Sequence, residues 1–313
     1  MIITEDLSKQ FEDRCAVDGV NLTVQAGEVL ALLGPNGAGK TTTVRMLSSI
    51  LRPTRGWARV AGFDVVDQPD KVRAAVGVLA EQHGLYMRML AWEYLDFFGQ
   101  LYKLDMLTRQ KRARQLLESF GLWEHRNRRI GQFSRGMKQK LALARVMLHE
   151  PQVLLLDEPT SAMDPESAVL VRDAIQALRS ADRAIVLCTH NLAEAERLAD
   201  QIAIISHGQI ISQGSPAKLK QQLLGPEEYE VRFGYPCNEL ICSLPAGIEV
   251  TGRGPDWLRF RPNQAAKDNP VVMQSLLNQG FPILSLQEMP RSVEQIYLEV
   301  MNGVDEDEKV DVL

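Results

Sequence analysis

The sequence predicts an α/β protein: a parallel sheet buried on both faces, interrupted by a run of helices and followed by a smaller α/β unit. Three observations carry that prediction. Val29–Leu33, Val153–Leu156 and Ala184–Leu187 are short, wholly apolar runs, the pattern of strands covered on both sides. Between Met89 and Glu150 nothing reads as a strand, and Trp92, Leu95, Phe97, Phe98, Leu101 and Tyr102 recur near helical spacing. Beyond Leu224-Gly225-Pro226 the pattern changes to short strands at Tyr229–Phe233, Trp257–Arg261 and Ile283–Leu286.

Bulk properties exclude several classes. With 313 residues the length fits about two domains, and 45% hydrophobic residues suffice for a packed core. A net charge of −5 gives no basic field for nucleic acid. No apolar run reaches the roughly 18 residues that cross a bilayer. Met1–Asp6 lacks the basic and apolar regions of an export signal. Cys15, Cys188, Cys237 and Cys242 are scattered and form no CxxC pair, which suits a reducing cytosol.

In chain order, Ile2-Ile3 and Asn21–Val24 read as early strands around an exposed turn. Phe11, in the polar setting Lys9–Asp13, is either a stacking platform for a base or a core aromatic at a strand end. The run Val29–Leu33 leads into Gly34-Pro35-Asn36-Gly37-Ala38-Gly39-Lys40-Thr41-Thr42, and a helix over Thr41–Leu51 follows. This is G-x-x-x-x-G-K-T between a buried strand and a helix N-terminus, the pattern of a phosphate-binding loop. Backbone N–H groups and a helix dipole then face one small volume. Lys40 would reach the β- and γ-phosphates, and the Thr41 hydroxyl would ligate Mg²⁺.

Arg52–Gly56 is a turn, and Ala58–Gly62 and Val76–Leu79 read as strands. The helical stretch continues through Arg109–Phe120 to a terminating Gly121. Ser134 then reads as the N-cap of a long helix, with N–H groups near Gly136 free to bind an anion. The strand from Val153 ends in Asp157-Glu158. Two acids at the end of a central strand need cationic compensation; Mg²⁺ is the natural one, with Asp157 its ligand and Glu158 beside an attacking water. Ser161–Asp164 forms a turn, and the strand Ala184–Thr189 ends at His190, which is either structural or a donor to a γ-phosphate. Ser292–Gln295 reads as a capping box before a helix striped by Val293, Ile296, Tyr297 and Val300, and Val304–Leu313 as a disordered acidic tail.

The phosphate loop, Ser134-Arg135-Gly136-Met137-Lys138-Gln139, Leu156-Asp157-Glu158-Pro159-Thr160-Ser161 and His190, in that order, resemble the ATP-binding cassette (ABC) ATPases over about Met1–Leu224. The resemblance implies a P-loop nucleotide-hydrolase core with an N-terminal antiparallel β part and a helical subdomain at about 89–150. Residues 225–303 then form a small accessory α/β domain, and 304–313 the tail. It implies ATP and Mg²⁺ as ligands and ATP hydrolysis as the activity. Phe11 takes the adenine-stacking position. Thr41 and Asp157 hold the metal, Glu158 is the general base and His190 the switch histidine. Ser134 and Gly136 belong to a signature that binds ATP held by a second cassette, and Asp164 is the acid of the adjoining loop. Glu81 stands where the family usually has Gln, next to metal or water, and adds a negative charge. Arg135-Gly136-Met137 replaces the usual Gly-Gly-Gln.

A single cassette with a small extension, and wording such as His83-Gly84-Leu85-Tyr86, is similar to the ATPase subunits of ABC-2 type exporters of the drug-export and sodium-export groups. That implies a peripheral subunit on the cytoplasmic face of the membrane. Its partners would be a polytopic permease and a second ATPase chain, identical or similar, with no nucleic acid. The rival class, soluble ABC ATPases acting on ribosomes or DNA, resembles tandem cassettes or cassettes split by a coiled coil; this chain has one phosphate loop and no sustained heptads. Leu85–Leu90, apolar but for Arg88, either lines the groove for the permease or fills the seam under the helices.

Overall fold

The computed structural model describes residues 1–80, 84–161, 163–223, 227–234 and 244–289. Two compact units form, Met1–Pro216 and Ala217–Leu313. The expected boundary at Leu224 lies outside the described residues; the packing boundary falls at Pro216, where a helix begins. Glu81, Cys237, Cys242, the capping box at Ser292 with its helix, and the acidic tail also lie outside them.

In the first unit, β1 (Ile2–Phe11), β2 (Arg14–Val24) and β3 (Val29–Leu33) precede α1 (Lys40–Leu47). Then follow β4 (Arg55–Val60), β5 (Phe63–Asp64), α2 (Pro69–Ala75) and β6 (Val76–Leu79). The helical stretch comprises α3 (Ala91–Leu101), α4 (Met106–Ser119) and α5 (Arg135–Met147), with short 3₁₀ turns at Trp123–His125 and Ile130–Gln132. Next come β7 (Val153–Asp157), α6 (Pro165–Ala177), β8 (Ala184–Thr189), α7 (Leu192–Leu198), β9 (Gln201–Ser206) and β10 (Gln209–Gly214). Helix α8 (Pro216–Leu223) spans the boundary between the units.

The central sheet runs β10-β9-β3-β8-β7-β6, parallel except for the antiparallel β10 edge. Every residue of β3, β7 and β8 is buried. That is the physical reason these strands read as unbroken apolar runs rather than alternating ones. One core joins a face of this sheet to the helical stretch through Leu154, Leu156 and Leu187 against Tyr94, Leu117 and Leu143. A second joins the other face to α1 and to the antiparallel sheet β2-β1-β4-β5 through Leu30, Leu32 and Val186 against Leu7, Val20 and Met46.

Two sequence expectations need correction. The early strands are far longer than Ile2-Ile3 and Asn21–Val24, because an edge-facing antiparallel pair alternates exposed and buried residues and so lacks an apolar run. The first helix stops at Leu47 instead of Leu51, since Ser49 turns the chain with φ +56°.

In the second unit, β11 (Tyr229–Phe233), β12 (Glu249–Arg253), β13 (Trp257–Arg261) and β14 (Ile283–Glu288) make an antiparallel sheet in the order β12-β13-β11-β14, with α9 (Ala265–Asn278) between β13 and β14 in the chain. Val231, Phe233, Leu258 and Phe260 face Val272 and Leu276 of α9. On the strand's alternate side Glu230 accepts from Arg232 Nε at 2.8 Å and Arg259 Nε at 2.9 Å.

Candidate functional site

The loop from Gly34 to Gly39 joins β3 to α1 and walls a cavity of about 440 Å³. Its lining includes Pro35, Asn36, Gly37, Gly39, Lys40, Thr41 and Thr42 from this segment, with Phe11, Arg14 and Ala16 on one side and Glu158, Ser161 and His190 on another. Glycine is required here for two different reasons. Gly39, the N-cap of α1, has φ +110°, where a side chain is strained, and a Cβ would lie 2.6 Å from the Ala16 carbonyl oxygen. Gly34 has no such φ, but a Cβ there would lie 2.3 Å from the Ile205 carbonyl oxygen. The loop is therefore pressed against its neighbours, leaving the mouth of α1 open to an anion.

Lys40 is buried, and its ammonium donates to the carbonyls of Gly34 at 2.6 Å and Pro35 at 3.1 Å. It also pairs with Glu158 Oε1 at 3.3 Å. The other carboxylate oxygen of Glu158 lies 2.8 Å from His190 Nδ1. Glu158 holds φ +50°, a left-handed conformation that costs a non-glycine residue on the order of 1–2 kcal/mol. Outliers of this kind concentrate at functional sites, where surrounding contacts enforce them. One such contact is the Glu158 N–H donating to the Cys188 carbonyl at 2.9 Å.

Asp157, the residue before it, ends β7 buried and in register with Cys188 of β8. The Cys188 thiol is buried beneath α1, 4.0 Å from the Lys40 carbonyl oxygen. Burial, reinforced by the nearby Asp157 charge, pushes that thiol well above its ordinary range, so it is an inert packing group.

Phe11 is 43% exposed and lines the cavity instead of entering the core. Arg14 went unnoticed in the sequence. It is the cross-strand partner of Phe11 at the hairpin tip, and its Nη2 donates to the Gly37 carbonyl at 3.3 Å. The signal that would have found it is the hairpin itself, which brings the residue after a two-residue turn level with Phe11. Ala16 and Ser161 are further lining residues missed.

Ser134, Gly136 and Asp164 do not line this cavity. Ser134 caps α5, accepting from Met137 N at 3.2 Å. Gly136 packs close to Ser167, with room for a Cβ only at 3.3 Å from its hydroxyl. Asp164 caps α6, and the Ser167 N–H it accepts at 2.9 Å holds its carboxyl below the usual range. These three cluster at the facing starts of α5 and α6, apart from the phosphate loop of the same chain. Gly34, Ala38 and Asp157 support the cavity from behind without lining it.

A charged lysine, a helix N-terminus, a carboxylate in contact with a histidine, and an exposed aromatic along one cavity can bind a polyphosphate carrying a base and activate a nucleophile at its end. Among the described residues no group of three His, Cys, Asp or Glu side chains converges. Thr41 lines the cavity with a hydroxyl and Asp157 is a buried carboxylate next to Glu158, and oxygen donors of this kind suit a hard cation.

Comparison with known proteins agrees. A family model described as ABC transporter matches residues 17–161. The ABC transporter ATP-binding protein NatA of Bacillus subtilis is 42% identical over 220 residues, covering 69% of this chain and 89% of NatA. The daunorubicin/doxorubicin resistance ATP-binding protein DrrA of Streptomyces peucetius is 41% identical, covering 71% of this chain and 67% of DrrA. A solved structure described as the ATP binding subunit of an ABC transporter superposes with a TM-score of 0.65 at 29% identity, covering 72% of this chain and 94% of that one.

Proposed function

The chain belongs to the ABC transporter family, as an ATP-hydrolysing, ATP-binding protein of the NatA and DrrA type, and from that premise we propose how it works. It is the motor of an exporter whose membrane path is a separate polytopic subunit. Among the described residues no helix is long and apolar enough to cross a membrane. Two cassettes close on two ATP molecules and separate after hydrolysis, and that cycle drives the permease.

The observation that carries this reading is the contact chain Lys40–Glu158–His190 on the wall of the phosphate-loop cavity. The α1 N-terminus and Lys40 bind the β- and γ-phosphates, and the base stacks on Phe11. Thr41 and Asp157, with Glu81 as the family's third candidate, would hold Mg²⁺, which would neutralise charge developing on the phosphates. Glu158 accepts a proton from the attacking water, and His190 fixes the carboxylate and donates toward the γ-phosphate. Ser134 and Gly136 are displaced from their own chain's cavity because they serve the ATP of the opposing cassette, with Asp164 beside them. The α5 N-terminus, capped by Ser134, then faces the γ-phosphate from the far side.

The test uses two variants. Glu158→Gln retains Lys40, Thr41 and Asp157, so it binds ATP but loses about 10²–10⁴ in hydrolysis rate. It also accumulates as an ATP-bound dimer, seen by size-exclusion chromatography with light scattering. Ser134→Arg, placed in that background, keeps ATP binding by the monomer and abolishes the dimer. A Ser134→Arg chain that still dimerises with ATP overturns the two-cassette reading. Affinity capture of the full chain from solubilised membranes should bring down a polytopic protein; ribosomes or DNA in its place overturn the exporter reading.

A further inference from the structure

Glu194 lines no part of the nucleotide cavity, yet it is fully buried, an unfavourable place for a carboxyl unless its oxygens are engaged. Two hydroxyls engage them. Thr160 Oγ1 donates to Oε1 at 2.9 Å, and Thr189 Oγ1 donates to Oε2 at 2.6 Å. Thr160 lies two residues beyond Glu158, and Thr189 immediately precedes His190. The Thr189 hydroxyl in turn accepts the Asn191 N–H at 3.0 Å, and Asn191 Oδ1 caps α7 at the Glu194 N–H, 3.1 Å away. One buried side chain therefore bridges the segment leaving β7 to the segment leaving β8.

We propose that Glu194 is a positioning residue for hydrolysis: its carboxyl clips these two segments together and so holds Glu158 and His190 in register with each other. The proposal rests on the reading of Glu158 and His190 given above. Two features of the site call for such a clip. Glu158 keeps its left-handed backbone only if its flanks are pinned, and Thr160 is its pinned downstream flank. Glu158 and His190 also stand between two open volumes. A second cavity of about 320 Å³, with no phosphate-loop residue in its lining, is lined by both of them with Thr160, Asn191 and Arg172. Lys40 and His190 contact the Glu158 carboxylate directly, and the backbone that carries Glu158 and His190 sets where those contacts can form. Hydroxyl-to-carboxyl bonds in a water-excluded interior are directional and strong enough to hold that backbone.

The experiment measures ATP affinity and single-turnover hydrolysis separately on the full chain. Glu194→Ala should slow hydrolysis by about 10–100-fold, as expected when reacting groups shift by a fraction of an ångström to an ångström. ATP affinity should change by less than about threefold, because no phosphate or base contact is lost. Glu194→Gln, which keeps the shape and an acceptor, should restore most of the rate. Thr160→Val should slow hydrolysis on its own and add little to Glu194→Ala, since both break the same bridge. The proposal is overturned if Glu194→Ala hydrolyses at the wild-type rate, if its loss merely tracks a loss of ATP affinity, or if Gln fails to rescue a folded protein. Should Glu194→Ala not fold, the near-isosteric Thr160→Val and Thr189→Val decide by the same rate and affinity criteria. Glu158→Gln is run alongside. If it hydrolyses normally, the reading of the site is wrong; if it stalls while the clip variants do not, only the clip is wrong.

Discussion

Phe11 and Arg14 are cross-strand partners at the tip of one hairpin, and both face the nucleotide cavity, with Arg14 bonded to the Gly37 carbonyl at 3.3 Å. The hairpin thus places an exposed aromatic ring and a cation bonded to the phosphate loop on one wall of the cavity, and under the proposed function the ring receives the base. The two-residue turn Glu12-Asp13, with Glu12 at φ +43°, sets their separation.

Removing each should have a distinct signature. Phe11→Ala should weaken ATP binding by roughly tenfold, within the 1–3 kcal/mol typical of base–aromatic stacking. Phe11→Trp should retain it. Because a π-face accepts any base, GTP should lose affinity in parallel with ATP. Arg14→Ala should cost only about fivefold, the scale of one exposed hydrogen bond. Equilibrium binding of fluorescent nucleotides measures all three variants. Unchanged affinity in Phe11→Ala would return Phe11 to a structural role.

The Lys40–Glu158 ion pair makes a second prediction, about stability as well as binding. Both side chains are nearly buried, at 6% and 10% exposure. Lys40→Ala strips Glu158 of its cation and should destabilise the chain by roughly 3 kcal/mol, as removal of one member of a buried pair does. It should also weaken ATP binding by more than about tenfold, since a charge-assisted phosphate contact goes with it. Adding Glu158→Gln to Lys40→Ala removes the uncompensated charge and should recover much of the melting temperature but none of the affinity. Equal melting temperatures for the single and double variants would show that the pair carries no structural weight.

The legible parts of this chain were those in which chemistry forces a local pattern. Strands buried on both faces must be apolar throughout, so β3, β7 and β8 stood out. A phosphate loop needs glycines at fixed places, and here a Cβ at Gly34 or Gly39 would come within 3 Å of a carbonyl oxygen. Legibility failed where partners are distant in sequence. Arg14 meets Gly37 only because a hairpin folds over the loop. Glu194 looks like an ordinary helical acid until β7 and β8 place Thr160 and Thr189 on either side of it. Ser134 was legible as a helix N-cap because its residue type and the apolar helix after it are local, whereas the capping of α6 by Asp164 was not read from the sequence.

His149 supplies a pH prediction. Its ring stacks on Tyr102 at 4.0 Å between centroids, and Nε2 lies 3.0 Å from the Val76 carbonyl, so that nitrogen carries the proton and donates. Burial is the main cause that holds the imidazole below its ordinary value of 6.5, with Arg112 adding to it and the Val76 bond opposing. The folded protein therefore binds fewer protons than the unfolded chain once pH falls below about 6.5. The contribution of His149 to stability is present above that value and lost as pH drops through the depressed folded one. His149→Phe keeps the stack but cannot titrate. Plotted against pH, the difference in melting temperature between wild type and His149→Phe should move in favour of the variant below pH 6.5, and a flat difference would refute the assignment.

The helical stretch supplies the last prediction, on where the membrane subunit docks. The sequence offered Leu85–Leu90 as a docking surface, a packed seam or both, and in the structure part of the segment is packed and part is exposed. Leu85 and Met89 pack against the core shared with the central sheet, and Met89 bonds through its backbone to Tyr86 and Ile130. Tyr86 and Met87 are 50% and 49% exposed. Tyr86 is not loose, however: its ring meets Phe97 edge-on at 5.8 Å and Tyr94 at 6.1 Å, so it is held at the surface by an aromatic cluster. A large apolar ring fixed outward beside an adaptable methionine is what a partner helix can use at low entropic cost. Met89 is therefore the wrong residue to change in a docking test, because its loss would remove packing against that core and cost on the order of 1–3 kcal/mol. Tyr86→Ser with Met87→Ser should instead leave the melting temperature within a few degrees of wild type and ATP binding intact, while reducing recovery of the permease in affinity capture from membranes. Met89→Ala should do the opposite, lowering the melting temperature by many degrees. If the folded Tyr86→Ser, Met87→Ser chain captures as much permease as wild type, the docking surface lies elsewhere on the cassette.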